Sequence, residues 1–309
     1  MDRAGKSLCL FFGLVLILPI TGCVTMDATV VGERVRGVFD PSEGTKASSD
    51  SARIAKPLKV EATERQGLVH PTTPLSDIPR YAGGRKRVAL VIGNAAYDYS
   101  PLLNPRNDAI DIGKALETFG FEVTLVTDGS NQEMRNAISV FGERSSSADA
   151  ALFYFAGHGV QIRGVNYLVP VRESLRTEAE VEDRSISADF VLRTMEGSRP
   201  KVNIVILDAC RDNPFISKTR SGARGLASME APAGTILAFS TSPGAVAYDG
   251  SDGRNGLYTK HLLLSLTGEN TDIAKIFQRA RAGVLRESLG KQVPWETTSL
   301  IGDFYFSKD

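Results

Sequence analysis

The stretch Lys201-Val-Asn-Ile-Val-Ile-Leu-Asp-Ala-Cys-Arg-Asp-Asn-Pro-Phe215 passes from an apolar, β-branched run into Asp208, Ala209, Cys210, Arg211 and Asp212. Such a run predicts a buried strand, Val202 to Ala209, that delivers a thiol ringed by charge to its C-terminal edge. A second stretch has the same form: Ala148 to Ala156 is apolar throughout and ends in Gly157-His158-Gly159. Around these two, Val88 to Ile92 reads as a first strand closed by Gly93-Asn94, Phe121 to Val126 as another, and Gly234 to Ser240 as a fifth.

Helical spacing fills the intervals. Asn107 and Asp108 read as caps of a helix that runs to Phe119, with Ala109, Ile112, Leu116 and Phe119 on one face and Gly120 ending it. Asn131 to Arg144 repeats the pattern with Met134, Ile138 and Phe141, and Ser187 to Gly197, Leu257 to Leu266 and Asp272 to Leu289 supply three more helices. Val165 to Val171 reads as a short hairpin or edge segment, and Asp303 to Phe306 as a final short strand. Apolar strands alternating with amphipathic helices give an α/β class, a parallel sheet covered on both faces. Ligand sites in such sheets lie beyond the C-terminal ends of the strands, where both the Gly-His-Gly and the Asp-Ala-Cys-Arg segments fall.

The N-terminus carries a different message. Arg3 and Lys6 precede an apolar stretch, Leu8 to Ile20, of signal-peptide length and too short for a comfortable membrane span. Ile20-Thr21-Gly22-Cys23 then resembles a bacterial lipobox, which makes residues 1–22 a lipoprotein signal peptide and Cys23 the lipidated residue; an ordinary signal peptide or short anchor is the other reading. Val24 in place of Asp after that cysteine resembles the sorting pattern for the outer membrane of a two-membrane bacterium, so the expected location is the cell envelope, on the periplasmic face of that membrane. Residues 23–85 mix charges with Ser, Thr, Pro and Gly without a period, the composition of a flexible tether, and His70 falls in it. Residues 86–309 form the expected folded domain. The formal net charge is zero, which argues against nucleic acid as a partner.

The chain has three cysteines, Cys9, Cys23 and Cys210. Loss of the signal peptide and lipidation of Cys23 leave Cys210 as the one thiol, with no disulfide partner in an oxidising compartment. Two readings stand: an inert buried thiol, or a nucleophile whose proton passes to His158. The same imidazole would later protonate the leaving amine. The backbone N–H groups of Gly159 and Cys210 are the candidate oxyanion donors. Asp208, two residues before the cysteine, suggests a pocket for a cationic side chain; its alternative is an internal pair with a residue such as Arg211. Asp249, in Tyr248-Asp-Gly-Ser-Asp-Gly253, either borders the same cleft or belongs to a polar turn. His261 lies in an apolar helical pattern and reads as a helix-surface or half-buried residue. The cysteine and histidine spacing is not that of a zinc site, so no metal is assigned.

Arg87-Val-Ala-Leu-Val-Ile-Gly-Asn94, Phe153-Tyr-Phe-Ala-Gly-His-Gly159 and Leu207-Asp-Ala-Cys-Arg-Asp-Asn-Pro-Phe215 together resemble the caspase-like cysteine peptidases of bacteria, relatives of caspases and metacaspases in peptidase family C14. The similarity spans Lys86 to Phe306. It implies a caspase-hemoglobinase fold with a largely parallel six-stranded sheet, a dyad of His158 and Cys210, and Gly159 at the oxyanion hole. Caspases proper have Gln where this chain has Asp208 and cleave after Asp, whereas metacaspase-like members with Asp there favour Arg or Lys. The chain departs from the metacaspase pattern after the cysteine, where Arg211-Asp212-Asn213 replaces a small polar stretch. No cofactor is implied. Some metacaspases need calcium, but no local acidic cluster assigns such a site here.

Three functions are consistent with these residues. The first is a membrane-tethered cysteine endopeptidase acting on protein or peptide substrates after Arg or Lys. The second is a catalytically silent caspase-like module that binds partners; inactive relatives lose the Cys or the His, and both are present. The third is a hydrolase or transferase acting on a non-peptide amide with the same dyad. Lys218, Arg220 and Arg224 in the 216–234 connection fit either self-cleavage by a basic-specific enzyme or an uncut loop with solvated charges. The resemblance leaves the oligomeric state open, since metacaspase relatives are often monomers and caspases dimers.

Overall fold

The computed structural model describes residues 80–81, 86–210, 226–243, 245, 253–267 and 271–306. In chain order the first elements are β1 (Arg80–Tyr81), β2 (Arg87–Gly93), α1 (Pro105–Thr118), β3 (Phe121–Thr127), α2 (Asn131–Ser145), β4 (Ala150–Ile162) and β5 (Val165–Leu168). Then come α3 (Glu178–Arg184), β6 (Ile186–Ser187), α4 (Ala188–Ser198), β7 (Val202–Cys210), β8 (Thr235–Phe239), α5 (Leu257–Leu266), α6 (Ile273–Glu287), β9 (Trp295–Thr298) and β10 (Asp303–Phe304).

The main sheet follows the order β3-β2-β4-β7-β8-β9. Its first five strands are mutually parallel, and β9 closes the edge antiparallel to β8. The six-stranded path matches the expected sheet. β5 and β6 extend it to eight strands, because β5 folds back antiparallel on the far end of β4 and β6 pairs with β5. β10 joins β1 in a separate two-stranded parallel pair, so Arg80–Tyr81, inside the stretch read as tether, is tied to the C-terminal segment.

Strand alternation divides the core into two layers. Ala150, Leu152, Tyr154 and Ala156 of β4 pack with Ile204 and Ile206 of β7 beneath Ile112 and Leu116 of α1 and the apolar faces of α5 and α6. Ala151, Phe153 and Phe155 pack with Val205 and Leu207 beneath Ile138 of α2 and Val191 of α4. Both faces of β4 are therefore covered, which is why its sequence is apolar without alternation. Helix ends follow local chemistry. Ser130 and Glu133 form a reciprocal capping box at α2, Thr177 and Glu180 form another at α3, and Asp272 caps α6 by accepting from the N–H of Ala274.

Two expectations are corrected. The Gly-His-Gly segment is not a loop past a strand end, since β4 runs through it to Ile162, pairing with β7 up to His158 and with β5 from Gly159. Glycine on each side of His158 permits this continuation, since a Cβ at either position would meet a neighbouring atom within 3 Å. Asp108 is also not a helix cap. Pro105 sets the first turn of α1 three residues earlier, with Asn104 at the cap position, and Asp108 lies inside the helix. The expected elements also left out β1, α3, β6 and β9.

Leu152 is fully buried at the centre of the sheet. Leu152→Ala should cost about 2–5 kcal/mol in chemical denaturation; a loss below about 1 kcal/mol would show that this layer is not the packed core described.

Candidate active site

The ladder between β4 and β7 begins with Ala150 opposite Val202 and ends with His158 opposite Cys210. Neighbouring strands lie about 4.8 Å apart, so the register brings the two expected residues side by side. The structure describes Cys210 by its backbone, as the last residue of β7.

His158 is held from three directions. Its backbone N–H donates to the Tyr97 hydroxyl at 2.9 Å, and that hydroxyl donates to the carbonyl of Val169 at 3.0 Å. Its own carbonyl accepts from the N–H of Val169 at 3.0 Å. The Tyr97 ring lies 4.4 Å from the imidazole, centroid to centroid. Nε2 of the imidazole stands 2.7 Å from the carbonyl oxygen of Ser100. A carbonyl only accepts, so Nε2 carries the proton in this contact. In the neutral ring Nδ1, which is buried, then holds the basic lone pair.

The 94–100 loop that supplies Tyr97 and Ser100 is itself fixed. Asp128 accepts from the N–H groups of Ala95 and Ala96, both at 2.8 Å. The buried Asn94 side chain accepts from Gly129 N–H at 2.9 Å and donates to the Val169 carbonyl at 3.1 Å. The glycines flanking His158 are required by space. A Cβ on Gly157, where φ is +153°, would stand 2.6 Å from the Tyr97 hydroxyl oxygen; one on Gly159 would stand 2.8 Å from Cβ of Ala209.

Asp208 is half-buried on the face of β7 that meets α5, and accepts from the Thr259 hydroxyl at 2.7 Å. A second carboxylate joins it. Asp108 is 3% exposed and accepts from the N–H of Gly256 at 2.9 Å. A Cβ on Gly256 would lie 3.2 Å from Oδ2 of Asp108 and 3.8 Å from Oδ2 of Asp208, so the two carboxylates face a common point. That point is the N-terminus of α5, whose partial positive charge and free N–H groups favour anions. The segment before α5 is secured one turn along α1, where Asp111 takes a bidentate bond from Arg254 at 2.6 and 2.9 Å and another from Asn255 at 3.0 Å. The Arg254 bond is the main reason the Asp111 carboxyl sits below its usual range. Asp108 was missed as a site residue, although the helical stripe Pro105, Asp108, Ala109, Ile112 puts an acid where an apolar residue is expected.

The remaining expectations fall elsewhere. Asp249, Cys23, the leader at 1–22, His70 and residues 216–225 of the 216–234 connection lie outside the described residues. After that connection, Ala227 is held through its N–H and carbonyl by the Asn166 side chain, at 2.6 and 2.9 Å. His261 is half-buried between α5 and α6, with Nε2 2.8 Å from Glu287 Oε2 of α6. Among the described residues no group of three or more His, Cys, Asp or Glu is arranged to hold a metal ion.

Known proteins bear on this arrangement. The caspase domain of peptidase family C14 matches residues 86–305. Mucosa-associated lymphoid tissue lymphoma translocation protein 1 of Homo sapiens is 26% identical over 228 residues, 72% of this chain and 27% of that protein. Caspase-12 of Mus musculus is 29% identical over 131 residues, 41% of this chain and 30% of that protein. The chain thus spans less than a third of the length of either relative. Among solved structures, caspase-1 from Spodoptera frugiperda superposes with a TM-score of 0.56 at 20% identity, covering 75% of this chain and 97% of that one, which shows a shared fold. With the family match running from the start of β2 to β10, the chain belongs to the caspase-domain family of cysteine peptidases, peptidase family C14.

Proposed function

We propose that the protein is an active cysteine endopeptidase that uses His158 and Cys210 to cleave peptide bonds after Arg or Lys, tethered to a bacterial membrane through lipid on Cys23. The observation that carries the catalytic part is the β4–β7 register, which pairs His158 with Cys210 while the Ser100 carbonyl leaves Nδ1 as the proton acceptor. In this reading Nδ1 takes the Cys210 proton. The thiolate then attacks the substrate carbonyl, and the backbone N–H groups of Gly159 and Cys210 receive the oxyanion. The imidazolium protonates the leaving amine, and water, deprotonated by the same ring, hydrolyses the thioester. Preference for a basic side chain rests on Asp108 and Asp208 converging on one point. Two carboxylates converging beside a helix N-terminus favour a cation between them. The tether rests on the leader and the Ile20-Thr21-Gly22-Cys23 motif, and Val24 in place of Asp after that cysteine supports a location on the periplasmic face of the outer membrane. No cofactor is proposed. A silent binding module remains the rival reading, and the retention of both His158 and Cys210 is the reason it ranks second.

Fluorogenic peptides bearing Arg, Lys or Asp before the scissile bond separate these readings. Turnover of the Arg and Lys peptides, reduced by about 10²–10⁴-fold in His158→Ala and abolished in Cys210→Ala, is expected; a wild-type protein inert on the whole panel would mark the silent module. Asp208→Ala should lower kcat/KM on basic substrates by about 10–100-fold, and an equal loss on every substrate would exclude a pocket role. Gly256 precedes the first helical residue with φ −57° and ψ 154°, a backbone that alanine adopts, so Gly256→Ala adds a methyl group 3.2 Å from Asp108 Oδ2. It should raise KM for Arg peptides with little change in melting temperature, whereas wild-type KM would mean that the cation does not enter between the carboxylates.

A further inference from the structure

The first turn of α5 holds a buried hydrogen-bond chain. Thr259 is 0% exposed, and its Oγ1 lies 2.7 Å from Oδ2 of Asp208 and 2.6 Å from the hydroxyl oxygen of Tyr154, also 0% exposed. The threonine has one proton to give. A carboxylate has none, so that proton goes to Asp208, and the phenol in turn donates to Thr259. Burial, followed by the charges of Asp208 and Asp108, raises the Tyr154 phenol well above its ordinary value, so the proton stays on the ring. The chain therefore has one polarity, Tyr154 to Thr259 to Asp208.

Thr259 stands in the first turn of α5, where the residue four earlier, Asn255, precedes the helix. Deeper in a helix a hydroxyl can bond back to that carbonyl, as Ser145 does to Phe141, Thr194 to Phe190 and Ser265 to His261. Thr259 reaches across to the carboxylate on β7. A chain that fixes one carboxylate oxygen also restricts rotation of the group. A guanidinium needs that restriction, because its two parallel N–H bonds must meet the carboxylate in plane. An ammonium is a point charge and tolerates rotation.

We infer that Thr259, backed by Tyr154, is a positioning residue for Asp208 that sets the preference for Arg over Lys at the substrate's basic position. The inference rests on reading Asp208 as a pocket carboxylate.

Matched Arg and Lys peptides, assayed with wild type, Thr259→Val, Thr259→Ser, Tyr154→Phe and Asp208→Ala alongside melting curves, test it. Thr259→Val should lower kcat/KM for the Arg peptide by about tenfold, chiefly through KM, and the Lys peptide by less, so that the Arg-to-Lys ratio contracts. Thr259→Ser, which keeps the hydroxyl, should restore the ratio. Tyr154→Phe, which keeps the ring, should fall between, and carries the same test if Thr259→Val does not fold. A folded Thr259→Val or Tyr154→Phe protein with an unchanged ratio overturns the inference, as does equal loss on both peptides. If Asp208→Ala still removes the basic preference in that case, the pocket reading stands without Thr259. If Asp208→Ala leaves that preference intact, the pocket reading and the inference fall together.

Discussion

Register between β4 and β7 is the constraint on which the site depends, and it is enforced far from the site. Alternate residues of β4 enter two different cores, Leu152 and Tyr154 under α1, α5 and α6, Phe153 and Phe155 under α2 and α4. A slip of one residue would send every side chain of the strand to the wrong layer. Fully burying each large apolar residue is worth about 1.5–3 kcal/mol, so the layers together oppose a slip with far more energy than any contact at His158. The pairing of His158 with Cys210 is thus set by packing, and the loop carrying Tyr97 and Ser100 has only to orient a ring that the sheet has already placed.

The carboxylate site has a different logic. Burying Asp108 nearly completely and Asp208 by half beside each other incurs both a desolvation cost and like-charge repulsion. The first turn of α5 answers both, with the Gly256 N–H on one carboxylate and the Thr259 hydroxyl on the other. α1 holds that turn in place through Asp108 itself and through Asp111 with Arg254 and Asn255. Packing of α5 on the core and the electrostatics of the cleft are therefore one arrangement, with Leu257 and Tyr258 buried in the layer directly behind the two carboxylate contacts.

The sequence made the central strands and most helices legible because doubly covered strands are continuously apolar and the helices carry capping residues and apolar stripes. His158, Asp208 and Cys210 stand out as candidates for the same reason, as polar residues at the ends of apolar runs. What escaped had weak local signals. β9 is four residues at an edge, partly exposed, with no apolar run; α3 is seven residues with Val181 as its buried residue, although its Thr177-to-Glu180 capping box is written in the chain. β4 was cut short at Gly157 because glycine usually ends a strand, whereas here the close approach of Tyr97 and Ala209 requires it. Asp108 and Thr259 escaped because their contacts run between distant elements, Asp108 to Gly256 across 148 residues and Thr259 to Asp208 across 51.

The central claim is that sheet register makes Cys210 a nucleophile served by His158. The most direct measurement is treatment of the intact protein with an arginyl chloromethylketone, followed by peptide mapping by mass spectrometry in wild type and His158→Ala. The account predicts a single adduct on Cys210 in the wild type, formed much more slowly when His158 is replaced. No adduct, an adduct on another cysteine, or labelling of Cys210 at the same rate in His158→Ala would contradict it.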